Sequence, residues 1–219
     1  MSKIPSKSKL TSTQIKKIIQ IFDKEYPDVK CALIHKNAFQ LLVATILSAQ
    51  CTDARVNMVT PGLFKMYPTP QKMAEAKQED LEEIIRSTGF FRQKSKSLIL
   101  CSREIVDKYK GKVPEEMESL SKLPGVGRKT ANVVRGNAFG LPGIAVDTHV
   151  KRLSARIGFT QETNPDKIEI ELGKVIPEEK WSKFTHQMQA HGRKICDAKK
   201  PQCAICPLNK ICLYFKESK

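Results

Sequence analysis

The sequence predicts an all-α fold, and three observations carry that prediction. No stretch alternates apolar and polar residues with the period of two that a half-buried strand requires. Apolar residues recur instead at helical spacing along most of the chain. Most prolines and glycines fall between these runs and leave short turns, with no long linker, repeat or low-complexity block. A bundle of about ten short helices is the architecture such a pattern builds.

The first run, Thr11 to Tyr26, sets Ile15, Ile18, Ile19 and Phe22 on one face, with Ser12 or Thr13 placed to cap it. Ala38 to Ser48 is apolar almost all round, the mark of a central buried helix. Ala54 to Met66 and Gln71 to Ala76 are shorter pieces split by Pro68 and Pro70, which lack the amide a helix interior needs. Leu81 to Ser87 stops at Gly89. Gln93 to Tyr109 runs on until Gly111 and Pro114. Glu116 to Lys122 is helix-compatible and ends before Pro124, after which Ala131, Val134 and Ala138 mark a new helical face. Asp147 opens another helix, with Val150, Leu153 and Ile157 in register. Pro165 to Val175 and Trp181 to Cys196 complete the set, the latter with Trp181, Phe184, Met188 and His191 on one face.

A chain of 219 residues has room for one large or two small domains. Its net charge of +15, from 38 Lys+Arg against 23 Asp+Glu, predicts a polyanionic partner, of which nucleic acid is the commonest. Basic residues gather from Trp181 onward. Met73 to Arg86 carries Glu75, Glu79, Asp80, Glu82 and Glu83 instead, and reads as a solvated face turned away from the polyanion. No apolar run approaches membrane-spanning length, so no membrane partner is expected. Met1 to Leu10 is basic without the hydrophobic core of a signal, which predicts an intracellular protein with reduced cysteines. Cys31, Cys51 and Cys101 sit among apolar residues and are expected to be buried, inert thiols.

The other four cysteines are Cys196, Cys203, Cys206 and Cys212. Four thiols this close in a reducing compartment read as a metal site, not as disulfides. Thiolates suit either zinc or an iron–sulfur cluster. The loop between the first two contains Lys199 and Lys200. Ligation at both ends would make it a rigid basic projection; a solvated surface loop is the alternative.

The stretch Leu123-Pro-Gly-Val-Gly-Arg-Lys-Thr-Ala131 joins two helical runs by a tight turn. Gly125 and Gly127 permit backbone angles that other residues resist. Gly125, Val126, Gly127 and Arg128 therefore present amides beside a helix N-terminus, a natural site for phosphate oxygens. The stretch resembles the helix-hairpin-helix motif of DNA-binding proteins, with an ordinary Pro-Gly corner as the alternative. Lys129 falls in the first helical turn, where the positive helix end and Arg128 disfavour the ammonium. A lysine of ordinary pKa ~10.4 is only about one part in a thousand neutral near pH 7.4. A lowered pKa is what makes a lysine nucleophilic, although simple phosphate contact is an equally available role. In Val146-Asp-Thr-His149, Asp147 suits an N-cap, which fixes a carboxylate in place and keeps it ionised. His149 reads as a structural partner or as a catalyst.

Taken together, the hairpin stretch, Val146-Asp-Thr-His149, the four-cysteine spacing and Leu47-Ser-Ala-Gln-Cys-Thr-Asp53 closely resemble the endonuclease III family over about Ile15 to Cys212. The resemblance implies two helical domains flanking a DNA-binding cleft. One would be a six-helix domain over 31–141. The other would join 1–30 to 142–219 and carry a [4Fe-4S] cluster on the four cysteines. It implies a monomeric base-excision repair enzyme, intracellular and in the cytoplasm or nucleoid if the source is bacterial, that removes oxidised pyrimidines from damaged double-stranded DNA and then nicks the strand. Lys129 matches the catalytic lysine and Asp147 the catalytic aspartate. Gln50 matches the glutamine that fills the space left by the extruded base. Phe90 stands where many members have a leucine wedge, and Cys51 departs from the smaller residue often found beside the glutamine. Lys199 and Lys200 fall in the cluster loop, and His149 beside the aspartate. The adenine-mismatch branch carries a catalytic glutamate in its early helix, but Leu41 to Gln50 contains no acid. A non-catalytic hairpin protein with a structural zinc would explain charge and cysteines, yet not the pairing of Lys129 with Asp147.

Overall fold

The computed structural model describes residues 10–217. The basic N-terminal stretch falls outside the described residues up to Lys9. Among the described residues are twelve α-helices, three short 3-10 turns and no strand. In chain order the helices are α1 (Ser12–Glu25), α2 (Ala38–Leu47), α3 (Asp53–Met66), α4 (Pro70–Ala74), α5 (Gln78–Ile85), α6 (Phe91–Tyr109), α7 (Met117–Lys122), α8 (Arg128–Ala138), α9 (Thr148–Ile157), α10 (Pro165–Gly173), α11 (Trp181–Lys194) and α12 (Leu213–Glu217). A 3-10 turn over Arg86–Thr88 follows α5 directly. The chain divides into two compact units, one formed by 31–141 and the other by 1–30 with 142–219.

The 31–141 unit is built on α2, in which every residue from Leu41 to Leu47 is buried. Such a helix has no polar face to offer water, so its neighbours must surround it; α3, α6 and α8 do so. Each fully buried leucine there is worth roughly 1.5–3 kcal/mol relative to exposure. Thr45, the one hydroxyl in the run, satisfies itself by donating to the Leu41 carbonyl at 2.7 Å. Val126, Leu123, Ala131 and Val134 join the same core and fasten the turn before α8 to it.

The second unit packs the apolar stripe of α1, Ile15, Ile18, Ile19 and Phe22, with Val150, Leu153 and Ile157 of α9 and Phe184 and Met188 of α11. The rings of Phe22 and Phe184 lie 5.5 Å apart. Asp23 accepts from Lys180 at 2.5 Å and from Gln187 at 3.1 Å. Burial opposes ionisation of that carboxyl, but these donors and Lys183 outweigh it and hold its pKa below the usual value. The left-handed residue Gly158 (φ 106°) ends α9, and a Cβ there would lie 2.3 Å from Leu213. Glycine is thus what lets α12 seat against the end of α9.

Three details differ from the sequence pattern. Thr11, not Ser12 or Thr13, caps α1, because only Thr11 stands three residues before a side chain that answers: Gln14 returns a bond to the Thr11 amide at 2.8 Å. The short helix α12 was not expected. Cys31 and Cys51 are only half-buried, at the edge of the core, whereas Cys101 is buried and its thiol is pushed up to about 12.

Candidate functional site

The turn before α8 is fixed from three sides. Gly125 adopts φ 78°, and a Cβ on it would come within 2.9 Å of Ser97 in α6 and 3.7 Å of Ile46 in α2. Glycine is required at that position by both the angle and the packing. Gly127 is different: at φ −92° and ψ 175° its backbone suits any residue, and nothing lies within 4 Å of where a Cβ would stand. The expectation that it supplies an unusual angle is corrected; what it supplies is an uncapped helix N-terminus with open space before it. The Val126 side chain is buried and its amide donates to the Leu123 carbonyl at 3.0 Å, so Val126 holds the turn down and is not itself a spare donor. The backbone bonds of the turn leave the amides of Gly125 and Gly127 unengaged among the described residues. Arg128 and Lys129 are the first two residues of α8, and both are exposed.

Gln50 and Phe90 belong to the same unit. Both are exposed, Phe90 to 65%, and both hold the left-handed backbone conformation, at φ 53° and 47°. Only Lys110 among the other described non-glycine residues has a positive φ. Such a conformation costs an ordinary side chain about 1–2 kcal/mol, and it recurs at functional sites because a scaffold must enforce it.

In the other unit, Asp147 caps α9, its Oδ1 accepting from the Val150 amide at 2.8 Å. His149 follows in the first turn, its Nδ1 3.1 Å from Arg152 Nη2. Burial lowers the His149 pKa, Arg152 and Arg193 lower it further, and Asp147 opposes them. Arg152 also donates to the carbonyls of Gly192 and Cys196, at 3.0 Å each, so it ties the middle of α9 to the end of α11 and the residues after it.

Cys196, Cys203, Cys206 and Cys212 line one pocket, and all four are free thiols. Cys206 Sγ lies 3.4 Å from His191 Nε2, and Arg156 Nη1 donates to Cys196 Sγ at 3.4 Å. Burial pushes the Cys206 thiol up to about 11, and the other three thiols add to the effect. A bound cation reverses that preference, because a ligating thiol loses its proton outright. Among the described residues no three His, Cys, Asp or Glu side chains converge to hold one metal ion. A single zinc would draw all four sulfurs to about 2.3 Å from one point; an iron–sulfur cluster takes one thiolate per iron around a wider centre. Four thiolates are the donor set such a cluster takes, and zinc accepts the same set.

The basic loop after Cys196 is held by protein contacts that the sequence did not announce. Arg156 donates to the carbonyls of Asp197 and Ala198 at 2.6 and 2.8 Å, and its guanidinium stacks 4.9 Å from the Tyr214 ring. Asp197 Oδ1 accepts the amides of Lys199 and Lys200 at 2.8 and 3.1 Å, and these bonds hold its pKa below the ordinary range. Lys199 and Lys200 are thereby presented at the surface, both exposed. The sequence carries no signal for this role of Arg156, because the carbonyls it serves belong to no motif.

Residues 43–178 match the HhH-GPD superfamily of base excision DNA repair proteins. The chain is 49% identical over 213 residues to endonuclease III of Synechocystis sp., covering 97% of each chain. Its fold superposes with a TM-score of 0.91 on a trapped endonuclease III–DNA covalent intermediate, at 47% identity, covering 95% of this chain and 99% of that one. It superposes with a TM-score of 0.90 on a non-covalent endonuclease III–DNA complex, at 47% identity, covering 95% and 98%. The chain belongs to the HhH-GPD superfamily of base excision DNA repair proteins. Within it, this is an enzyme of the endonuclease III kind, a DNA glycosylase with AP lyase activity, and its partner is DNA.

Proposed function

We propose that the enzyme removes oxidised pyrimidines from double-stranded DNA and cleaves the strand through a Schiff base on Lys129, acting as a monomer wherever the cell keeps its genome. The observation that carries this reading is the exposed amine of Lys129 at the uncapped N-terminus of α8, beside the free amides of the turn. A relative of 47% identity, trapped as a covalent intermediate with DNA, supports it.

A base stacked in a duplex shields its sugar carbon, so the nucleotide must leave the stack before reaction. The amides of Gly125 and Gly127, with Arg128, would hold a phosphate at the α8 N-terminus. Phe90 would wedge into the stack, and Gln50 would fill the vacated space. The deprotonated Lys129 amine then attacks C1′ as the base departs. Asp147 stabilises the positive charge that develops on the sugar and assists proton transfer, with His149 beside it. The sugar ring then opens, the C1′–O4′ bond breaking and O4′ taking a proton, which turns the lysine adduct into an imine; the imine makes the C2′ protons acidic, and removal of one expels the 3′ phosphate by β-elimination. Borohydride reduction tests the whole reading: wild-type protein on an oxidised-thymine duplex should yield a stable protein–DNA adduct, and release of base without any adduct would overturn it.

Cys196, Cys203, Cys206 and Cys212 would hold a [4Fe-4S] cluster. When bound it would supply a rigid anchor for the loop that carries Lys199 and Lys200. Protein purified without oxygen is expected to be coloured and to contain about four iron and four sulfide per chain; stoichiometric zinc without iron would refute the assignment.

Lys199 and Lys200 are assigned to phosphates. Changing both to alanine should weaken binding to every duplex alike and flatten the salt dependence by up to about two units of slope. A titration of binding against salt checks this, and a loss confined to damaged DNA with the slope unchanged would contradict it.

A further inference from the structure

Lys94 is buried, with 5% of its surface exposed, in the first turn of α6. Long charged side chains are rarely buried without a partner. The partners of Lys94 are two backbone carbonyls: Nζ donates to the Leu47 carbonyl and to the Thr88 carbonyl, each at 2.8 Å. Leu47 is the last residue of α2, and Thr88 the last of the 3-10 turn after α5. Carbonyls at helix ends lack intrahelical donors and carry the negative end of the helix dipole, so an ammonium is the group best suited to join two of them. The Lys94 amide also donates to the Phe90 carbonyl at 3.0 Å. Burial draws the Lys94 pKa below the ordinary lysine value, with Cys51 opposing the shift.

The two backbone ends gripped by this ammonium lead directly to the two strained, exposed residues. Gln50 follows Leu47, and Phe90 follows Thr88, within a few residues in each case. A left-handed backbone at an exposed non-glycine residue relaxes unless its flanks are pinned. Here one side chain pins both flanks. Gly125 seats the hairpin turn on Ile46 and Ser97, so the same ends of α2 and α6 carry all three features.

We infer that Lys94 is a positioning residue for base extrusion, holding Gln50 and Phe90 in a common register by bonding the carbonyls of Leu47 and Thr88. The inference rests on the proposed entry of Gln50 and Phe90 into the duplex. Lys94 touches neither substrate nor the reacting atoms in this account, so its effect belongs to the extrusion step and not to imine chemistry.

The test is Lys94→Met, which keeps the stem and removes the donors. Base release on an oxidised-thymine duplex, measured at single turnover, should fall about tenfold or more relative to cleavage of a single-stranded abasic oligonucleotide, which has no base to extrude. In a Gln50→Ala/Phe90→Ala background the same Lys94 change should cost less than threefold on the duplex. Equal losses on both substrates, no loss on either, or an undiminished loss in that background would overturn the inference. Failure of the underlying reading is separately visible: the Gln50→Ala/Phe90→Ala protein would then keep the wild-type duplex rate. If thermal melting shows that Lys94→Met does not fold, Lys94→Leu, likewise apolar and without donors, carries the same comparisons with the same outcomes.

Discussion

Lys129→Gln is expected to bind damaged DNA and to lose both base release and borohydride trapping, by about 10³-fold or more, equivalent to roughly 4 kcal/mol of barrier. Glutamine keeps most of the length and a hydrogen-bonding head, so contact with DNA survives while the amine that forms the imine is gone. The fold should not suffer. Lys129 is exposed in the first turn of α8, where a positive charge faces the positive end of the helix dipole; removing it changes stability by about 0.3–1 kcal/mol in the favourable direction. A melting temperature at or slightly above wild type, beside absent trapping, is therefore the expected pair of results. A trapped adduct formed at the wild-type rate would assign the nucleophile to another amine.

The helical character of the chain was legible because helix-forming runs and breakers agree at most positions, Pro61 and Gly62 inside α3 being the plain exception. Pro68, Pro70, Pro124 and Gly158 each stand at a helix boundary in the structure. The central place of α2 was legible for the same reason: a run from Leu41 to Leu47 without a polar face has nowhere to go but the interior. Boundaries were less so. The cap of α1 depended on Gln14, a side chain whose reply to Thr11 matters more than the choice among neighbouring hydroxyls.

Within the candidate site, residue type and spacing exposed the groups that face outward: Lys129, Lys199, Lys200, and the four cysteines around one pocket. Spacing did not expose the groups that hold them. Lys94 looks in sequence like any solvated helix lysine, and only its two carbonyl partners, contributed by residues 6 and 47 positions away, give it a task. Arg156 likewise serves carbonyls about 40 positions distant. Backbone carbonyls carry no sequence signature, so side chains that serve them are invisible to motif reading. Gly127 shows the converse: it occupies a glycine-rich motif, yet its own angles would suit any residue, and the free space before α8 accounts for it.

Asp147→Asn separates chemistry from folding at the carboxylate that caps α9. The Asp147 Oδ1 accepts the Val150 amide at 2.8 Å and so closes the first turn of α9. Asparagine caps about as well as aspartate, whereas alanine loses about 0.5–2 kcal/mol at such a position. What asparagine forfeits is the charge, worth about 0.3–1 kcal/mol to stability at a helix N-terminus and far more to a developing cation on the sugar. Base release should consequently fall by about 10² or more, while melting shifts little. With a ready-made abasic site the base has already left, and Asp147→Asn should then form the imine adduct much closer to the wild-type rate than it releases base. Asp147→Ala provides the control, with a similar loss of rate but a clear drop in melting temperature. Wild-type base release in Asp147→Asn would reduce the carboxylate to a cap alone, and an equal loss with damaged and abasic substrates would move its role from base departure to imine formation.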